Sequence, residues 1–262
     1  MDELKKLRND LDMCDEILID ALRMRCQIIQ EITNYKQKNG LPIYQAEEEE
    51  RKKSKMLAKL DDYEYKKSIM AVYDSILYRS KRIQSHELFG FNIFLIGFMG
   101  AGKSTISDYL KNALAMDVVE MDQCIVERQG MSISDIFETY GEEYFRELET
   151  NLLIEMQSQS NVVVSCGGGV PMRERNVVEM KKNGRVVLLT AKPETILERV
   201  KDNHDRPLLE NNKTVPFIAD LMEKRRAKYE AAADIVIETD GKSELEICEE
   251  MIHRLREADA NK

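Results

Sequence analysis

From Leu4 onward apolar residues return every three, four or seven positions, so that Leu4, Leu7, Leu11, Leu18, Leu22, Ile29 and Ile32 share one stripe. That spacing predicts one long amphipathic helix from Asp2 to about Lys38, ended by Asn39-Gly40. At 1.5 Å per residue it would be about 55 Å long, more than one small domain can cover, so a partner chain is expected. Helical periodicity resumes from about Ala46 to Leu60 and from about Tyr63 to Ser85. Beyond Gly90 the pattern changes. Short apolar runs without alternation, at 92–96, 117–121, 161–165, 185–189 and 234–238, are separated by helical stretches. Such runs predict parallel strands buried on both faces. The expected fold class is multidomain: an all-α three-helix domain over residues 1–88, then an α/β domain over 91–262 with a five-stranded parallel sheet, joined by a short linker from His86 to Phe91.

A chain of 262 residues is comfortable for two domains. The formal charge of −9 arises entirely after residue 89, because acidic and basic residues balance before it. An acidic α/β part and a neutral helical part argue against a nucleic-acid partner. Met1 to Arg8 is charged and carries no apolar core of signal-peptide length, and no run of about 18 apolar residues occurs. No membrane partner is expected, and a cytoplasmic location is. Cys14, Cys26, Cys124, Cys166 and Cys248 show no CxxC spacing, and the histidines are scattered, so reduced thiols without zinc are expected.

The first apolar run of the second part, Asn92-Ile-Phe-Leu-Ile96, is followed by Gly97-Phe-Met-Gly100-Ala101-Gly102-Lys103-Ser104-Thr105 and a helical pattern through about Ala115. This is a Walker A loop between a strand and a helix. Its glycines let backbone N–H groups curl around phosphate oxygens at the positive end of the helix. Gly100, Ala101, Gly102, Lys103, Ser104 and Thr105 are the expected ATP-binding residues, with Lys103 on the β/γ-phosphates and Ser104 on Mg²⁺. Ligands of parallel sheets bind at the carboxyl ends of strands. There the sequence places Glu120-Met-Asp122 and Gly167-Gly168-Gly169, while Gly141-Glu-Glu-Tyr-Phe145-Arg146-Glu-Leu-Glu149 falls in an intervening helix. Taken singly, Arg146 among its acidic neighbours reads as a surface ion-pair partner and Asp122 as a helix N-cap.

Together with Asp205-Arg206-Pro207-Leu208-Leu209, and Arg225 four residues before Tyr229, these segments resemble shikimate kinases over residues 92–240. The resemblance implies that Asp122 binds the substrate hydroxyls and positions or deprotonates the attacking one. Arg146 and Arg225 would hold the shikimate carboxylate, for which two rigid guanidinium forks are suited. Gly168, with Gly169 beside it, would contact the substrate through backbone where a Cβ would obstruct the ring. Arg206 would close over the phosphates from a lid between Asp202 and Asn212, and Arg199 would pack on adenine. One position departs: Glu120 stands where relatives usually carry Asp in the magnesium environment, which keeps the carboxylate with one more methylene.

In the first part, Arg8, Arg25, Lys36, Pro42-Ile43-Tyr44, Glu49, Ser80 and Gln84 resemble the all-helical chorismate mutases over residues 4–85. Arg25 and Lys36 lie about three turns apart on one helix face, whereas Arg8 is about 25 Å from Arg25, too far for both to grip one small dicarboxylate. The family resolves this with an interlocked homodimer that takes the first Arg from the other subunit. Rearrangement of chorismate needs no nucleophile, only a held conformer and donors to the developing charge on the ether oxygen. The resemblance implies Lys36 and Gln84 as those donors, Arg8 of the second subunit and Arg25 on the carboxylates, Glu49 on the ring hydroxyl, and Ser80 beside Gln84 on one face. Gln45 and Glu48 depart from the commoner Asp and Arg.

The expectation is a bifunctional enzyme of aromatic amino-acid biosynthesis, with shikimate, chorismate and ATP as small-molecule substrates and Mg²⁺ as cofactor. The alternative is a shikimate kinase whose helical domain only regulates or dimerises.

Overall fold

The computed structural model describes residues 2–201 and 213–260; Arg206 and the rest of the expected lid, 202–212, lie outside the described residues. The chain separates into two compact units, Met1–Glu87 and Leu88–Lys262.

The first unit contains α1 (Asp2–Lys38), α2 (Ala46–Lys59) and most of α3 (Lys66–Leu88). Acidic residues open α1, Lys36 and Lys38 lie in its last turn, and Gly40 follows with φ +61°, the arrangement expected of a helix terminus. Helix α3 begins three residues later than its periodicity suggests, because Tyr63 and Tyr65 form a turn with their rings edge to face at 5.9 Å. It also runs further. The expected linker begins inside the helix, since His86, Glu87 and Leu88 continue the α-helix and the non-helical stretch shrinks to Phe89–Phe91. None of the three resists helical backbone, and the first residue able to stop it cheaply is Gly90.

The unit has little core of its own. In α1 only Ile29 and Thr33 are buried, and α2 buries no residue at all. Leu4, Leu7, Leu11 and Leu18 remain 49–61% exposed. The stripe that dictates the helix thus lacks a covering surface within its own unit.

In the second unit β1 (Asn92–Gly97), β2 (Asp117–Glu120), β3 (Val162–Ser165), β4 (Gly184–Thr190) and β5 (Ile235–Glu238) make a sheet in the order β2-β3-β1-β4-β5. All adjacent pairs are parallel. Every residue of β1 is buried, as a central strand of a sheet covered on both faces requires. Helices α4 (Lys103–Leu114), α5 (Met121–Gln129), α6 (Ile133–Tyr140), α7 (Glu142–Glu155), α8 (Glu174–Lys182), α9 (Pro193–Val200), α10 (Val215–Ala232) and α11 (Glu244–Ala260) supply the crossovers and cover. The core gathers Phe94, Ile96, Val162, Val164, Val186 and Leu188 from the sheet with Phe145, Leu152 and Leu153 of α7. Each such side chain contributes about 1.5–3 kcal/mol on removal from water. Buried Asn92 fixes the start of the sheet: its amide donates to Met156 O and Gln159 O, and its oxygen accepts from Val162 N. Among the described residues no helix is long and apolar enough to cross a membrane.

Candidate active sites

Strand order decides which loops meet. Central β1 delivers the glycine-rich loop, its neighbour β3 the triple glycine, and β2, beyond β3, delivers Glu120 and Asp122. All three arrive at the carboxyl edge.

The glycine-rich loop is drawn tight. Its end residue Gly97 sits so close to β4 that a Cβ there would lie 2.4 Å from Leu189 O. Lys103, at the start of α4, donates to Gly97 O at 3.0 Å and Phe98 O at 3.3 Å, holding its ammonium over the loop. Arg199 reaches the loop from α9, donating to Gly100 O at 3.1 Å and to Thr239 Oγ1 at 3.2 Å. Ala101 is buried, Gly102 is the N-cap of α4, and Ser104 and Thr105 are exposed on its first turn.

Strand β2 passes into α5 without a loop. Glu120 is the N-cap position, and no side chain caps it; Asp122 is exposed in the first turn. Asp122 is thus not the N-cap that its position near a strand end suggests. Glu120 turns back to α4, where Ser104 Oγ lies 3.1 Å from Oε2 and Ser107 Oγ 2.6 Å from Oε1. The hydroxyl-carboxylate set is all oxygen, which suits Mg²⁺ held jointly with nucleotide phosphates. Among the described residues there is no group of three or more His, Cys, Asp or Glu placed to hold a metal alone.

Arg146 and Glu149 come from α7, whose inner face is set by Phe145, Leu152 and Leu153. Glu149, four residues from Phe145 and three from Leu152, falls on that inner face and is fully buried. Its Oε2 accepts from Arg146 Nη1 at 2.9 Å, while Oε1 has no hydrogen-bond partner. Burial raises the carboxyl from its ordinary value near 4.5 to about 7, against the attraction of Arg146 and with some help from Asp122. Glu142 takes the other edge of the Arg146 guanidinium, at 2.7 and 3.1 Å.

The triple glycine lies between these groups. A Cβ on Gly167 would stand 2.6 Å from Asp122 Oδ1 and 3.0 Å from Glu149 Oε1; on Gly169, 2.3 Å from Arg146 Nη1. At Gly168 it would meet nothing closer than Tyr229 Oη at 3.6 Å and Arg225 Nη1 at 3.7 Å. Within the protein, then, the close approaches fall at Gly167 and Gly169, on either side of the glycine singled out by the resemblance. Tyr229, buried on α10, donates to Gly168 O at 2.7 Å and lies 3.4 Å from Gly97 O, tying the two loops together. A cavity of about 360 Å³ opens here, lined by Arg146, Arg225, Arg173, Gly169 and Met172 with Glu142 and Glu143. Cys166, wholly buried, has its thiol pushed up first by burial; Lys103, Glu149, Asp122 and Glu120 all act on it, which locates the two halves of the site around one residue.

Arg173, Ser107 and Glu149 are absent from the sequence expectation. Glu149 alone had a signal, an acidic residue at helical spacing from two apolar ones. Arg173 and Ser107 have none.

In the first unit, Lys36 donates to Ile43 O at 2.9 Å. Arg25 is half-buried with an Nε that no group satisfies, and Arg8 is exposed. Glu49 is in ion pairs with Lys81 at 2.7 Å and Lys53 at 3.5 Å. Lys81, another residue absent from the expectation, also lies 5.3 Å over the Tyr44 ring. Ser80 is buried and donates to Ile76 O at 2.7 Å, with Gln84 half-buried one turn on. Glu48 faces Arg51 and Lys52 on α2, and burial does not keep its carboxyl from being held down to about 2, chiefly by the hydrogen bond from Arg51.

Residues 99–256 match the family model "Shikimate kinase", and residues 7–85 match "Chorismate mutase type II". A shikimate kinase of Dehalococcoides mccartyi is 43% identical over 166 residues, covering 63% of this chain and 94% of that protein. That of Persephonella marina is 44% identical over 165 residues, covering 63% and 99%. Among solved structures, shikimate kinase from Acinetobacter baumannii in complex with shikimate aligns with a TM-score of 0.59 at 32% identity, over 66% of this chain and 96% of that one. Shikimate kinase from Aquifex aeolicus aligns at 0.55 and 38%, over 63% and 96%.

Proposed function

This chain belongs to the shikimate kinase family and joins that kinase to a chorismate mutase domain as a bifunctional enzyme of aromatic biosynthesis; we propose the following division of labour among its residues. The single observation that carries the kinase reading is the convergence of Asp122 and the Arg146–Glu149 pair on Gly167–Gly169, beside the loop that holds Lys103.

Arg146 and Arg225 bind the shikimate carboxylate in the cavity they line, and the glycines let the ring approach the backbone. Asp122 accepts the proton of the ring hydroxyl as its oxygen forms a bond to the γ-phosphorus of ATP and the bond to the β-phosphate oxygen breaks, releasing ADP. The reaction demands alignment and charge neutralisation more than covalent help. Lys103 and the loop N–H groups neutralise the phosphates, and Arg199 borders the nucleotide. Mg²⁺, held by Ser104 with Glu120 and the phosphates, would supply further neutralisation of phosphate charge.

In the helical domain Arg25, Lys36, Glu49, Ser80 and Gln84 face chorismate, and Arg8 arrives from a second copy. The exposed Leu4, Leu7, Leu11 and Leu18 support a homodimer through α1, because that stripe has no cover within its unit. Arg25 supports the site, with its unsatisfied buried Nε awaiting an anionic partner.

The kinase test is ADP release, coupled to a spectroscopic readout, with shikimate, gluconate or a nucleoside monophosphate as acceptor. Turnover with shikimate is expected, and preference for either rival overturns the assignment. The mutase test is saturable loss of chorismate absorbance that disappears in Arg25→Ala. No loss, with chorismate still raising the melting temperature, would make the helical domain a sensor instead.

A further inference from the structure

Ser107 sits one turn beyond Ser104 on α4 and is fully buried, a costly place for a hydroxyl unless it is bonded. It lies 2.6 Å from Glu120 Oε1 and 2.9 Å from Ser104 O. A serine hydroxyl has one proton, and the charged acceptor at the shorter distance is the stronger claimant. Glu120 thereby straddles a helical turn: Oε1 is on Ser107 and Oε2 on Ser104.

We propose that Ser107 is a positioning residue of the nucleotide–metal site, clamping one oxygen of Glu120 so that the other stays presented at Ser104. The inference rests on the reading of Ser104 and Glu120 as the metal-environment pair, and deepens it. The physical need is clear from the side chain itself. A glutamate carries one more rotatable bond than an aspartate, so its carboxylate must be anchored to arrive pre-oriented. The clamp is built from the interior: Ser107 is fully buried, with the carbonyl of Ser104 as the other acceptor within reach of its hydroxyl.

The test measures Mn²⁺ binding directly, by the electron-paramagnetic-resonance signal of the free ion, on the full chain with a non-hydrolysable ATP analogue. Wild type, Ser107→Ala, Glu120→Gln and the double variant are compared, with metal-free analogue binding and the thermal melt as controls of folding. Ser107→Ala is expected to weaken Mn²⁺ binding about fivefold while leaving metal-free analogue binding unchanged. Because the clamp acts through Glu120, the double variant should bind Mn²⁺ no more weakly than Glu120→Gln alone. Ser107→Cys, which fills the same buried position with a weaker hydrogen-bond donor, should weaken Mn²⁺ binding in the same direction and decides the matter if Ser107→Ala folds poorly; wild-type binding in it overturns the clamp. Weakening by Glu120→Gln with wild-type binding in Ser107→Ala overturns the clamp and spares the metal reading. Full additivity in the double variant also overturns it. Unchanged binding in Glu120→Gln overturns the metal reading of Glu120, and the clamp with it.

Discussion

Arg146 and Glu149 are joined at 2.9 Å, and across that short distance side-chain exposure falls from 20% to zero. The carboxylate is therefore the member of the pair that loses its water. An ion pair usually holds a carboxyl below its ordinary range, yet burial prevails and carries Glu149 to about 7. The native state then binds a proton that the unfolded chain has released. Stability from this group is fully present below about pH 4.5 and is lost as pH rises to about 7, by up to about 3 kcal/mol. Glu149→Gln should flatten the fall in melting temperature between pH 5 and 8. An equally steep fall in the variant would mean that other groups set it. Substrate binding brings another carboxylate to Arg146, so the KM for shikimate should rise with pH through 7 in the wild type and less in Glu149→Gln.

Asp122→Asn keeps the shape of the side chain and removes the proton acceptor. Phosphorylation of shikimate should fall by about 10²–10⁴-fold while ATP affinity, measured by calorimetry, changes little. Near-normal turnover would sink the role assigned to Asp122.

Gly169→Ala places a Cβ where Arg146 Nη1 would be 2.3 Å away, so the guanidinium must move. The KM for shikimate should rise more than tenfold, with the KM for ATP nearly unchanged. Gly168→Ala, with its nearest protein atom at 3.6 Å, separates the two demands: loss of shikimate binding there reports contact with substrate, not with Arg146.

Tyr229→Phe removes the 2.7 Å bond to Gly168 O and leaves that half-buried carbonyl only the long contact from Arg225 Nη1 at 3.5 Å. A loss of about 1–3 kcal/mol is expected in denaturant unfolding, together with a lower kcat, because the hydroxyl spans the substrate and nucleotide loops.

Leu7→Asp or Leu11→Asp in α1 puts a charge on the exposed stripe. Sedimentation should show the full-length variant as a monomer with mutase activity lost and kinase activity kept. A dimer with intact mutase turnover would refute assembly through α1.

How much could be read from the chain varies with the range of the interaction. The helix α1 is written locally, in the return of Leu4, Leu7, Leu11 and Leu18, and the strand β1 in its unbroken apolar run; both are found almost to the residue. The end of α3 was less legible, because His86–Leu88 can continue a helix or leave it, and neighbouring structure rather than propensity chooses. Lys103 and Ser104 could be named because motif spacing fixes them relative to a strand end, and Asp122 because of the resemblance to shikimate kinases.

What only the tertiary structure decided is which side chains from distant elements meet. Taken singly Arg146 reads as a surface cation among acids, and only the resemblance gave it a place on substrate; the packing of Phe145, Leu152 and Leu153 turns α7 so that Glu149 goes inside and draws Arg146 to the triple glycine. Ser107 is an ordinary helical serine until the edge strand β2 brings Glu120 against it. Lys81 shows no distinguishing pattern until α2 and α3 set it on Glu49. Periodicity and loop motifs depend on neighbours within about a turn and are carried by the sequence itself, whereas a buried carboxylate's partner, and hence its protonation, depends on crossings between elements tens of residues apart.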